Sequence, residues 1–183
     1  MAENIDLIHE SDRGCVLVAA SILESQLEQE LRKEISSHGM SNRYLNHSFD
    51  ANGPLGTFSA KILISRGFGL ISEDVFHDLM VIRKLRNQFA HSIDRASFAD
   101  EKIIAKVNSL LMIKKVQEDT KEMKRYKFSG DDEVESSKVP LELKIQASGY
   151  VRYHKSMFCL AVHNLEIEML KHCVGRYERL FRD

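Results

Sequence analysis

Between Ser72 and His91 the apolar residues Val75, Leu79, Ile82 and Phe89 recur at four-, three- and seven-residue steps. At about 100° per residue they fall on one stripe of a helix. The first long segment behaves alike: Cys15, Ala19, Ile22, Leu23, Leu27, Leu31 and Ile35 make one face from Asp12 to Ser36. Ser11 is placed to cap it, and its other face is charged. A shorter helix is expected over Thr57 to Arg66, carrying Phe58, Ile62 and Leu63 and stopped by Gly67 and Gly69. Ser72 caps the following one, which opens on Glu73 and Asp74 and gathers Arg83, Lys84 and Arg86 toward its end, as the helix dipole favours.

Another helix is expected to start near Ser97 and run through Ile103, Ile104, Val107, Leu110 and Leu111. The last runs from about Leu141 or Tyr150 to Phe181, where Phe158, Val162, Leu165 and Met169 alternate four- and three-residue steps. That spacing serves a coiled coil or the seam of an antiparallel bundle, and packing within the chain is the preferred reading. His172 and Arg176 continue the seam as polar positions.

Two segments break the helical pattern. His38 to Gly56 is rich in Ser, Asn and Gly and is expected to be a long loop. From Lys114 to Lys138 the composition turns to Lys, Glu, Asp and Ser, with almost nothing to bury, and predicts an exposed, mobile connection. The expectation is an all-α, up-and-down-like multi-helix bundle in one domain, residues 1–183. It divides into a core over about 10–113, the charged connection over 114–138 and a long C-terminal helix over 141–181.

With 183 residues the chain can bury a real core. Its 26 basic and 27 acidic residues leave a net charge of −1, so no global field draws it to nucleic acid or to an anionic membrane. Cys15, Cys159 and Cys173 are widely spaced and form no C-x-x-C pair, which argues against a disulfide framework or a thiolate zinc site. The N-terminus lacks a signal-peptide layout and no apolar run approaches bilayer-spanning length. A cytoplasmic protein without cofactor or metal is expected.

Candidate chemistry centres on Arg86-Asn87-Gln88-Phe89-Ala90-His91. Arg86 falls inside the apolar stripe, where a guanidinium needs a carboxylate, backbone carbonyls or an anion as partner. Asn87 and His91 share a neighbouring flank, and Arg83 continues that row one turn earlier. Either Arg86 makes a structural ion pair and His91 caps the last turn, or the cluster holds a phosphate and moves protons.

Other motifs carry less. The turn Gly67-Phe68-Gly69-Leu70-Ile71-Ser72 suggests a helix-turn-helix, but Glu73, Asp74 and Asp78 would oppose DNA at the start of the second helix. His154, His163 and His172 lie nine residues apart and cannot converge from one helix, and Glu168 with His172 reads as a surface or satisfied pair. Lys114, Lys115, Lys121, Lys124, Arg125 and Lys127 alternate with Glu118, Asp119 and Glu122, as on a solvated face.

Two resemblances meet on the central segment. The stretch from Ser11 to Ala20, then Gly53-Pro54-Leu55-Gly56-Thr57-Phe58-Ser59-Ala60-Lys61 and Gly69-Leu70-Ile71-Ser72, resembles the mannitol operon repressor family over residues 10 to 95. That resemblance implies an all-helical transcriptional regulator without a recognisable DNA-binding motif. Arg86-Asn87 with His91 resembles the R-x4-x6-H motif of HEPN domains. It implies a metal-independent ribonuclease assembled across a dimer, with His91 handling protons, Arg86 stabilising phosphate charge and Asn87 orienting the site.

The function expected is a regulatory or interaction protein of the mannitol-repressor kind, homodimeric and with a protein partner. A HEPN-type endoribonuclease acting on RNA is the alternative, so enzymatic activity and direct DNA binding are left open. A helical adaptor with a purely structural Arg86 is the third reading.

Overall fold

The computed structural model of the chain describes residues 7–91, 96–115 and 150–180. Six helices with complete bounds lie there: α1 (Asp12–Ser37), α2 (Asn42–Phe49), α3 (Phe58–Gly67), α4 (Glu73–His91), α5 (Glu101–Asn108) and α6 (Tyr150–Leu180). The described residues form no strand, and the all-α expectation holds.

Local chemistry sets the helix starts. Ser11 Oγ accepts the Gly14 N–H at 3.0 Å, and Thr57 Oγ1 accepts the Ala60 N–H at 3.2 Å, each satisfying a first-turn donor that has no intrahelical acceptor. Ser72 Oγ takes the Val75 N–H at 3.3 Å. Between α3 and α4 the chain reverses through Gly69 at φ 67°, a conformation that glycine adopts without steric cost.

α1 is the central element and packs against α2, α3, α4 and α6, while α4 also meets α3, α5 and α6. Cys15, Ala19, Leu23 and Leu27 of α1 join Val75, Leu79, Ile82, Leu85 and Phe89 of α4 in the main core. The seam residues Phe158, Val162, Leu165 and Met169 of α6 are all buried in that same core, so the repeat serves packing within the chain. Phe98 lies between Phe89 and Phe158, with ring centroids 5.7 and 5.5 Å away, and ties α4 to α6.

Three expectations are corrected here. The long loop over 38–56 contains α2, whose Leu45 and Phe49 are buried with Leu31, Leu55 and Leu70 in a second apolar cluster. Two buried positions one turn apart are too few to show as a period in a polar stretch. The helix expected from Ser97 begins at Glu101 and ends at Asn108, and helical backbone resumes over residues 111–115. The start fails because the Ser97 N–H and Oγ are drawn to Asp100 Oδ2 and Asp12 Oδ2, both at 2.9 Å, which makes a turn there. Most of the charged connection lies outside the described residues; its first two, Lys114 and Lys115, are exposed.

The third correction concerns Arg86. It is exposed, and Leu85 takes the buried place between Ile82 and Phe89. The core-facing stripe of α4 therefore drifts around the helix: Leu79 is covered on one side of the early stripe and Leu85 on the other. Arg86 is left facing water, with no need for the buried counter-charge that its sequence position called for.

Candidate functional site

The outer face of α4 carries the sequence-nominated residues. Arg86 and Asn87 meet, Arg86 Nη1 donating to Asn87 Oδ1 at 3.3 Å. Arg83 and Asn87 are half-buried, while Lys84, Arg86 and His91 are exposed. His91 ends the helix and makes no hydrogen bond to Arg86 or Asn87, so within the protomer only the first two are joined. Arg83 flanks them one turn earlier, as its spacing requires.

Two cations that sequence spacing does not connect to this helix are fixed at the same end. Arg13 Nη2 donates to the Ala90 carbonyl at 3.0 Å, capping the last turn of α4 from α1. Lys106 Nζ donates to Gln88 Oε1 at 2.7 Å from α5. Their separations in sequence hide them; the only trace is that Arg13 lies two residues after the α1 cap, Ser11.

The electrostatics of this face differ from those around it. Lys61, Arg66, Lys115 and Lys171 are each in an ion pair, with Glu24 and Glu28, Glu73, Asp74 and Glu168 respectively. Arg83, Lys84 and Arg86 have no carboxylate within ion-pair distance among the described residues. Three cations within about one turn of one helix, without a carboxylate partner among the described residues, make a local positive field on a chain whose net charge is only −1. The start of α4 is the reverse. Glu73 and Asp74 are neutralised by Arg66 and Lys115, and the hydrogen bond from Lys115 to Asp74 holds its ammonium pKa above the ordinary value. Asp78 is fully buried rather than presented to solvent, which corrects its place among the residues opposing DNA.

A network on the opposite side ties the frame together. Lys61, on α3, is buried and reaches Glu24 Oε1 at 2.9 Å and Glu28 Oε2 at 2.8 Å on α1. Burial pushes the Glu28 carboxyl up, but the hydrogen bonds from Lys61 and Arg32 outweigh it and hold the group below its ordinary value. Burial likewise lowers Lys61, and its hydrogen bonds to Glu28 and Glu24 reverse that and raise it. Arg32 lies over the Phe49 ring at 4.2 Å, extending the network to α2. Next to it, Leu63, Ile64 and Phe68 expose apolar surface at the end of α3.

The surface or satisfied pair expected of Glu168 and His172 does not form between them: Glu168 takes Lys171 at 3.1 Å, and His172 Nε2 donates to the Gly69 carbonyl at 2.9 Å, docking α6 on the α3–α4 turn. Among the described residues no group of three or more His, Cys, Asp or Glu side chains is arranged to hold a metal ion. No described helix is long and apolar enough to cross a membrane.

The described residues thus form an all-α bundle whose conspicuous surface feature is a cationic helix face without carboxylate partners. Residues 9–170 match the model of the mannitol repressor (MtlR) family, and the chain belongs to that family. Its fold is similar to that in the X-ray structure of the MtlR–HPr complex from Escherichia coli, with a TM-score of 0.57 and 16% identity over 87% of this chain and 90% of that one. No curated protein matches the sequence.

Proposed function

We propose that this chain is a cytoplasmic regulatory protein that docks an acidic surface of a protein partner on the outer face of α4. It affects transcription through that partner and does not place a helix in a DNA groove. The carrying observation is that Arg83, Lys84 and Arg86 project from one helix without a carboxylate partner among the described residues. Charges already satisfied inside the molecule gain little from a partner, whereas uncompensated ones steer and orient it. Asn87 and His91 extend the same face with hydrogen-bonding groups. That a protein of similar fold is known in complex with HPr supports a protein as the partner. The homodimer expected from the sequence is part of this proposal, and since the α6 seam is consumed in the core, its contact must use another surface.

The test is a calorimetric titration with HPr, comparing wild type with the Arg83→Glu/Arg86→Glu double variant at low and high salt. The reading expects wild-type binding that weakens with salt and a loss of at least about tenfold in the variant, about 1.4 kcal/mol. Equal affinity of the two proteins would remove α4 as the docking face.

A further inference from the structure

Cys15 and Cys159, which the sequence separates by most of its length, meet in the core. Cys15 in the first turn of α1 and Cys159 in α6 place their Sγ atoms 3.6 Å apart, and both are thiols. Cys15 is wholly enclosed, while Cys159 is half-buried. The sulfurs are already in contact. The closure of about 1.5 Å that separates contact from a disulfide bond is of the size that side-chain rotation at two cysteines supplies.

We propose that Cys15 and Cys159 are a two-electron oxidation site, which hydrogen peroxide converts into a disulfide joining α1 to α6. The thiolate of Cys159 attacks one peroxide oxygen; the O–O bond breaks, and sulfenic acid forms on Cys159 as the other oxygen leaves and is protonated to water. The Cys15 sulfur then attacks the Cys159 sulfur. The S–S bond forms, the S–O bond breaks, and the departing hydroxide takes the Cys15 proton as a second water. Two thiols lose two electrons and one peroxide is reduced to two waters.

The surroundings set the order of these steps. The hydrogen bond with Cys159, followed by burial, holds the Cys15 thiol far above the ordinary range, which leaves the half-buried Cys159 to ionise and meet the oxidant first. Lys155 lies one turn before Cys159, with its Nζ 3.7 Å from Asp12 Oδ1 and donating to the Glu10 carbonyl. Its ammonium favours a thiolate at the pair, and Asp12 opposes it. The new bond would close a loop containing α2 to α5 and fix α6 on α1, where Gln26 Nε2 already holds the Glu166 carbonyl at 3.1 Å.

The experiment treats the reduced, full-length protein with stoichiometric hydrogen peroxide, then maps peptides without reductant and follows thermolysin digestion. Wild type and Cys173→Ala are both expected to yield one linked peptide pair carrying Cys15 and Cys159, reversed by dithiothreitol. Digestion of the oxidised protein should slow by at least about tenfold. In Cys159→Ser, Cys15 should remain a thiol. Links confined to Cys173, sulfinic acid on Cys159 beside an unmodified Cys15, or retention of both thiols would overturn the proposal. Should Cys159→Ser fail to fold, the Cys173→Ala protein still decides, because it leaves the pair untouched.

Discussion

Asp78, buried in the second turn of α4, accepts the Met112 backbone N–H at 2.9 Å through Oδ2, and the Leu111 N–H at 2.8 Å through Oδ1. These are first-turn donors of the helical backbone over 111–115, so a side chain of one helix caps another from within the core. His77 Nδ1 donates to the same Oδ1 at 2.9 Å. Asp78→Asn substitutes an NH2 group for one accepting oxygen and leaves a buried backbone N–H without an acceptor. The expected loss is about 3 kcal/mol, the scale of a buried charge-assisted hydrogen bond broken on one side. A urea transition with an unchanged midpoint would refute it.

Lys61 between Glu24 and Glu28 links α1 to α3, and its shifted pKa values give stability a definite pH dependence. Glu28 titrates below its ordinary 4.5 in the folded protein, so its contribution is complete above the unfolded value and is lost as pH falls through the folded one. Lys61 titrates above its ordinary 10.5, so its contribution is complete below that value and is lost as pH rises through the folded one. Lys61→Met is expected to cost about 2 kcal/mol at neutral pH, less than a fully buried pair because both carboxylates keep some contact with water. The difference from wild type should shrink below pH 4.5. A pH-independent difference would show that the side chain acts through packing alone.

Long-period features of this fold are legible in the sequence, and short or long-range polar ones are not. The faces of α1, α4 and α6 are written in seven or fewer apolar positions each, because burial on a regular helix imposes its own period. α2 escapes notice since only Leu45 and Phe49 turn inward. The stripe argument also misplaces Arg86, because spacing fixes an angle around a helix axis but not which neighbours cover that angle along its length. Asp78 looks like a solvated acid until the 111–115 helical backbone is seen to begin on it. The cation cluster on α4 was readable, but its lack of carboxylate partners was not, since Glu73 and Asp74 could equally have served it.

The turn after α2 gives a sharp contrast among glycines. A Cβ at Gly53 would collide with the His47 and Ser48 carbonyl oxygens, and one at Gly56 with those of Asp50 and Ala51. These are backbone atoms around the end of α2, held by the Gly53 N–H to Asp50 O and Leu55 N–H to Ser48 O bonds at 2.7 and 2.8 Å. Gly53→Ala and Gly56→Ala are each expected to cost about 1–3 kcal/mol, the range of forced overpacking. Gly67→Ala, with open space around it, should be neutral or stabilising by up to about 1 kcal/mol, since alanine is the better helix former. Equal melting temperatures for all three variants would show that the 53–56 turn yields at little cost.

Arg86 separates stability from function. As an exposed side chain whose only hydrogen bond among the described residues is to the adjacent Asn87, it should be replaceable by alanine within about 0.5 kcal/mol, where a buried ion pair would have cost several times more. The docking reading then expects Arg86→Ala to weaken partner binding at an unchanged melting temperature. His91, not hydrogen-bonded to Arg86 in the protomer, should be dispensable for RNA integrity: total RNA incubated in EDTA with wild type or His91→Ala should give the same fragment lengths. Cleavage by wild type that leaves cyclic-phosphate ends and disappears in His91→Ala would mean that a second protomer completes the cluster. The α4 face would then be a ribonuclease site, with the phosphate as its anion.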